Sequence, residues 1–499
     1  MITPGTSPST PVSGPRWPRS ALTAAALSIA LGLGGCGAVT SEGSTAENAI
    51  AFFDDSVVHE ISVEFSDADY QAMLAAYSDS GDKDWISASV TIDGTRLENV
   101  GLRLKGNSSL NGLSGHGTGG DGNGTSESPE TLPWLIRTDK FVDGQEYQGR
   151  TDLVVRGNNT ESSLNEALAL EVVGAADLAT LEAAATRFSV NGSAQQLRLV
   201  IESPDDDQWN EDTFGDDGSI YKAESTGEYT YRGEDPESYT DVFEQKAGET
   251  EDLQPVIEFL DFINNSSDEE FSAHLADHLD VDAFARYLAV QELMGNMDDI
   301  DGPGNNSYLR YDSETGRMTV VTWDLNLAFG GMGGMRGTGG MPDGAGNAGG
   351  PAMPEGTEPP EGFPESLPEG MEPPEGLPEG MERPAGAPLP EGGEPGNGAG
   401  MPGSTENPLT TRFHADAEFE AKYEQALKDL RTELYESGLA QEILESWTDL
   451  LTEQAADLVS PETVLEESAG IAEYFTAGGT ATSAGPAPAA DADAGAEAP

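Results

Sequence analysis

Apolar residues take alternate positions late in the stretch Val57 to Phe65, at Ile61, Val63 and Phe65. Successive side chains of an extended chain point to opposite faces, so this pattern predicts a strand. Ser66 to Ala76 is predicted helical, with Asp67 or Asp69 near its start. Ile86–Ile92 and Leu97–Leu104 flank Asp93-Gly94, while Thr186–Val190 and Gln196–Ile201 flank Asn191-Gly192. Both dipeptides accept the positive φ of a two-residue turn, so each set predicts a β-hairpin. Trp134-Leu135-Ile136 and Asp152–Val155 read as further strands. A third hairpin is predicted from Tyr308–Tyr311 and Met318–Trp323 around Ser313-Glu314-Thr315-Gly316.

The period changes in other stretches. Ser163 to Val173 predicts a helix in which Ser163 and Glu166 form an S-x-x-E capping pattern and Gly174 a C-cap. From about residue 252 helical spacing dominates: Val256–Ile263, then Ala283–Met294 capped by Asp280 or Asp282. It resumes at Glu418–Tyr435 and Ala440–Leu458. Strands first and helices second predict an α+β protein with a sheet lobe and a helical lobe. A cleft between two such lobes is a natural ligand site.

Composition separates a different material from this pattern. Residues 331–404 hold Gly, Met, Pro and Glu, with irregularly spaced Pro-Glu-Gly triplets and no apolar period. Nothing there offsets the entropy of ordering, so a disordered insertion is expected. Residues 111–130 are expected to be an exposed loop, and 477–499 a disordered tail.

The 499-residue chain carries 90 acidic and 24 basic residues, a net charge of −66, which excludes general binding to nucleic acid. The insertion contributes only −10 of this, from 12 acids and two arginines, so most of the acid belongs to the folded portion.

The single cysteine excludes a disulfide scaffold or a thiolate zinc site within the chain. Residues 1–36 read as a secretory signal, with Arg16 and Arg19 before the apolar stretch Ala21–Leu33. That stretch ends Leu33-Gly34-Gly35-Cys36, which resembles the lipobox of bacterial lipoproteins. Lipidation at Cys36 is expected, followed by a tether over 37–51. The mature protein would then sit on the outer face of the cell membrane, touching it through the lipid alone.

Three segments carry candidate chemistry. In Arg103-Leu104-Lys105-Gly106-Asn107-Ser108-Ser109, Gly106 lets backbone approach a ligand, and Lys105 supplies charge for phosphate. The same segment also reads as an ordinary strand-ending turn. Gly295 to Asn306 is a polar loop containing Asp298, Asp299 and Asp301, and Trp323-Asp324-Leu325-Asn326 closes the third hairpin. Hairpin partners lie about 5 Å apart, so Asn306 and Asp324 should be neighbours, with Asp298 close by. A carboxylate meeting an amide can hold an Mg²⁺–nucleotide complex, and a further carboxylate can accept a hydroxyl proton. Surface acid in an acid-rich chain is the competing account.

Glu166 stands equally open as a cap or as a partner for a catalytic lysine. An EF-hand register fails because it puts Met297 at its first ligand position. His274 and His278 lack the Glu of H-E-x-x-H, and no Gly-x-Ser-x-Gly occurs.

Taken together, Val100–Ser109, Phe188–Gly192, Ile220-Tyr221-Lys222, Leu279–Asp282, Gly295–Asp298, Asn305–Leu309 and Trp323–Asn326 with Phe329-Gly330 resemble the CotH family of kinase-like spore-coat proteins. The resemblance covers residues 54–330, and the helices after Leu409 are similar to the family's C-terminal part. It implies an atypical protein-kinase-like bilobal fold, with a domain over 52–330 completed by 405–476. It further implies binding of ATP and Mg²⁺ (or Mn²⁺), and phosphorylation of Ser or Thr in secreted or envelope proteins.

By that resemblance Asp298 is the catalytic aspartate, with Asp301 in reserve, and Asn306 and Asp324 bind metal. Lys105, Gly106 and Ser108 lie near the phosphates. Glu166 matches a helix glutamate, Glu202 falls near the inter-lobe hinge, and Lys222 matches a family lysine of underived role. Asn326 stands where many members have a second aspartate, Ser307 and Arg310 replace tyrosines, and Leu132 replaces a basic residue. The alternative function is a non-catalytic surface lipoprotein, an envelope assembly factor or adhesin. A calcium-dependent carbohydrate binder is a third reading.

Overall fold

The computed structural model describes residues 51–106, 110, 113, 128–215, 218–224, 228–248, 252–302, 304, 306–331 and 407–477. Cys36, the tether, Ser108, almost all of the predicted insertion and nearly all of the predicted tail lie outside them. The first half of the chain runs β1 (His59–Phe65), α1 (Asp67–Ser80), β2 (Ile86–Ile92), β3 (Thr95–Leu104), β4 (Trp134–Arg137), β5 (Asp152–Val155), α2 (Leu164–Ala175), β6 (Ala183–Val190) and β7 (Gln196–Ile201). Its strands close into a barrel in the order β1-β2-β3-β4-β5-β7-β6. Each neighbouring pair is antiparallel except β1 with β6, which close the barrel in parallel, Ile61 opposite Phe188.

The barrel wall separates two cores, as the two-residue period of a strand requires. Trp134 and Ile136 face the barrel interior with Leu102, Leu104 and Phe188, whereas Leu135 between them joins the other core. Leu153 and Val155 point inward while Val154 points out in the same way. Against this outer face lies α2, buried on nearly every side from Leu164 to Val173. A helix apolar all round belongs between two layers, and here the second layer is helical.

That layer follows as α3 (Asp207–Phe214), β8 (Ser219–Ala223), β9 (Phe243–Ala247), α4 (Gln254–Asn265), α5 (Asp268–His278), α6 (Val281–Met294), β10 (Ser307–Asp312) and β11 (Arg317–Thr322). The chain re-enters through α7 (Pro408–Ala415), α8 (Ala417–Leu430), α9 (Leu439–Gln454) and α10 (Pro461–Ala477). β8 to β11 form a second sheet ordered β11-β10-β8-β9. The architecture is therefore mixed α and β, sheet-rich toward the N-terminus and helical toward the C-terminus. Among the described residues no helix is long and apolar enough to cross a membrane.

Caps resolve several boundaries. Ser66 caps α1 by accepting from the Asp69 N–H, and Asp280, not Asp282, caps α6 by accepting from Ala283. The capping pattern read at Ser163 and Glu166 is corrected. Ser163 has φ 57° and makes no side-chain cap bond. Ser162 accepts from the Leu164 N–H at 3.2 Å instead, and Glu467 of α10 accepts from the Glu161 N–H at 2.9 Å. Glu166 is thereby left for another partner. Gly174 lies inside α2, whose C-cap is Ala176.

Three buried carboxyls set how stability depends on pH. Burial first of all raises Glu171, which accepts from the Trp447 indole, to about 7, and does the same for Glu202 and Asp299. Carboxyls raised from about 4 hold more protons folded than unfolded, by up to about 1.4 kcal/mol per pH unit each. Their contribution is complete below pH ~4 and is lost as pH rises through about 7. Calorimetry should therefore give a higher Tm at pH 5.5 than at pH 8, and Glu171→Gln should flatten that difference. An equal or lower Tm at pH 5.5 would contradict the assignment.

Candidate active site

Two strand ends and one hairpin converge where the barrel meets the helical layer. β3 ends at Leu104, and Lys105 continues it, donating its N–H to the Pro133 carbonyl at 3.1 Å. Gly106 follows with φ 90°, a conformation glycine adopts without strain. The Lys105 ammonium lies 3.6 Å from Asp205 and 5.1 Å over the Trp323 ring. Burial pushes the Asp205 carboxyl up, but Lys105, Lys246 and the Tyr308 hydroxyl (2.9 Å) outweigh it and hold it below the usual range.

β5 ends at Val155, which delivers Arg156 to the same region. Its guanidinium is buried between Glu166 of α2, an ion pair at 2.8 Å, and Asp324, and lies 5.7 Å over Trp323. Burial raises the Glu166 carboxyl, and Arg156 opposes that shift. Glu166 thus has a cationic partner, but it is an arginine just past the end of a strand. No motif in the sequence singled out Arg156. The available signal was a cation in Arg156-Gly157-Asn158, ending a buried strand as Lys105-Gly106-Asn107 does.

The loop after α6 brings the acids. Gly295, with φ 62°, ends the helix, and the Asp299 carboxylate folds back to accept from the N–H groups of Asp301 (3.0 Å) and Gly302 (3.1 Å). That turn leaves Asp301 exposed and places Asp298 against the amide of Asn306. Burial and then the nearby Asp324 raise the Asp298 carboxyl, while Asn306 and Lys222 lower it.

β10 and β11 pair from Ser307 opposite Thr322, so Asn306 and Trp323-Asp324 emerge side by side. Asp324 itself has φ 60° and ψ 62°. A non-glycine residue there costs on the order of 1 kcal/mol, and the Arg156 ion pair holds it in place. Just beyond, the Asn165 amide of α2 donates to the carbonyls of Asn326 (2.7 Å) and Ala328 (3.2 Å), fixing the chain after Asp324.

Lys222 of β8 pairs with Tyr308 of β10, its ammonium 5.2 Å over that ring. Burial first and the charge of Lys105 after it bring Lys222 down to about 8, while Glu224, Asp324 and Asp205 pull it up. The structure thus gathers Lys105, Glu166, Lys222, Asp298, Asn306 and Asp324 around Arg156 and Trp323. Glu202 belongs to a separate cluster, bonded to Arg150 at 2.6 Å and to the Glu182 N–H at 2.8 Å. Leu132 is buried in the barrel core, and its carbonyl accepts from Arg198 at 3.1 Å.

Asp298, Asn306 and Asp324 present hard oxygen donors, the type that suits Mg²⁺ or Mn²⁺. Among the described residues no three His, Cys, Asp or Glu side chains form a ready-made metal cage. The donor set fits an ion whose remaining ligands come from phosphates and water.

The family model described as "CotH kinase protein" matches residues 102–460. The inner spore coat protein H of Bacillus subtilis (strain 168) is 26% identical over 145 residues, 28% of this chain. That stretch covers 39% of the relative's own length.

Proposed function

The chain belongs to the CotH family, and from that premise we propose that it transfers phosphate from Mg²⁺–ATP to Ser or Thr of secreted or envelope proteins. The barrel half is the sheet-rich lobe and the helical half the second lobe of a kinase-like fold. The convergence of Asp298, Asn306 and Asp324 on one hairpin carries the reading. Asn306 and Asp324 hold the metal, which supplies charge neutralisation at the phosphates. Lys105, Gly106 and Ser108 take the role of binding the phosphates, and Lys222 adds a second cation. Asp298 accepts the acceptor hydroxyl's proton, with exposed Asp301 in reserve. Arg156 and Glu166 form the ion pair that a lysine and a helix glutamate make in protein kinases. Glu202, bound to Arg150, braces the barrel edge near the lobe junction. Cys36 anchors the protein outside the cell membrane.

One observation favours a second reading, a non-catalytic surface lipoprotein: Arg156 already takes one oxygen of Asp324, and Asn326 removes a carboxylate from the pocket. Thermal shift of the full mature chain separates the two. ATP with Mg²⁺ or Mn²⁺ should raise Tm by a few degrees when present at about 100 Kd, equivalent to ~2.7 kcal/mol. ATP or metal alone should do much less. No joint effect with either metal would leave the second reading.

A further inference from the structure

In a chain of net charge −66, three cations from β3, β4 and the turn after β4 gather around Trp85, next to the candidate site. The Trp85 ring has Arg103 4.7 Å from its centroid, Lys140 at 5.2 Å and Arg137 at 5.6 Å. Gly101 of β3 permits this, since a Cβ there would lie 2.4 Å from the Lys140 Cβ and 3.0 Å from the indole. Lys83 lies within electrostatic reach of both Arg103 and Lys105, which joins this cluster to the site, while burial and then those two charges bring its own ammonium down to about 8.

Acids answer part of this charge. Asp152 pairs with Arg137 (2.6 Å), Asp205 with Lys105 (3.6 Å) and Glu224 with Lys246 (3.5 Å). Asp139 lies in the same turn and Glu244 also meets Lys246. Among the described residues neither Arg103 nor exposed Lys140 closes an ion pair, and the Arg103 Nε is buried without a hydrogen-bond partner. Immediately after Lys140, Phe141 is 48% and Val142 38% exposed. Cations held over an indole beside an exposed apolar edge suit a peptide whose carboxylates meet the cations and whose stems lie on the apolar residues.

We propose that this face, formed by Trp85, Arg103, Lys140, Phe141 and Val142, docks an acidic segment of the protein acceptor beside the hydroxyl to be phosphorylated. The proposal rests on the kinase reading above for the identity of the acceptor. A short acidic segment suits the face better than a long polyanion does, because the surrounding acidic surface repels extended negative charge.

The test uses the full mature chain and a fluorescein-labelled peptide with one Ser flanked by Glu, read by anisotropy without ATP. Binding should weaken at least tenfold in Arg103→Gln/Lys140→Gln, and by several-fold in Lys140→Glu, whose site is exposed and safe for folding. It should persist in Asp298→Asn and weaken as salt rises. Equal binding by wild type and both variants would overturn the proposal. So would equal binding of a Lys-flanked peptide. Binding seen only after deletion of residues 332–404 would also overturn it, making the chain's own acidic tract the occupant. The two readings fail separately. Peptide bound but never phosphorylated sinks the kinase reading alone, whereas transfer indifferent to acceptor charge sinks the docking face alone.

Discussion

Replacing Arg156 by Leu is expected to lower the free energy of unfolding by about 3–5 kcal/mol. Arg156 is buried and answers two carboxylates at once, Glu166 at 2.8 Å and Asp324. Glu166 is itself buried, so without the guanidinium it must be protonated or leave a desolvated charge unpaired. Urea titration should show a lower midpoint with an unchanged slope. Adding Glu166→Gln to the Leu variant should restore part of the loss, because it removes the orphaned charge. A loss under about 1 kcal/mol would mean that water replaces the arginine, and that the pair does not hold α2 against the hairpin.

Asp298→Asn is expected to reduce phosphate transfer by about 10²- to 10⁴-fold while leaving Tm within a few degrees of wild type. The substitution keeps the shape of the side chain and its contact with Asn306, and removes only the capacity to take a proton. Asp301→Asn, on the exposed side of the same turn, should stay within a few-fold of wild type. Label transfer from ATP to a Ser-containing acceptor measures both. Equal rates for Asp298→Asn and wild type would remove Asp298 from the mechanism, and a large loss in Asp301→Asn would transfer its role.

Local signals carried most of the fold's parts and little of its closure. Asp93-Gly94 and Asn191-Gly192 marked two hairpins because their turn chemistry lies within a few residues of the strands they join. The third hairpin correctly placed Asn306 beside Asp324, since strand pairing converts sequence symmetry about a turn into proximity. β1 against β6 is a parallel pairing across more than a hundred residues, for which no local pattern exists. β8 and β9 were not read as strands either, since β8 gains its place from pairing with β10 and β9 from pairing with β8. Arg156 was missed for a related reason. Its partners come from a helix and a distant hairpin, and spacing along the chain records neither. Ser163 and Glu166 had the spacing of a cap, but a buried arginine competes for Glu166 more strongly than a backbone N–H does.

The chain's last described helix bears on when this geometry can exist. Glu467 of α10 secures the residues before α2, and Tyr474 packs on Gly295 and Gly330, at either side of the acidic loop and the hairpin. Both contacts span well over a hundred residues of sequence. A nascent polypeptide that has not reached α10 therefore lacks the brace on each side of its pocket. Long-range closures of this kind come late and slowly. Under the export proposed above, that order defers completion of the pocket until α10 has been made.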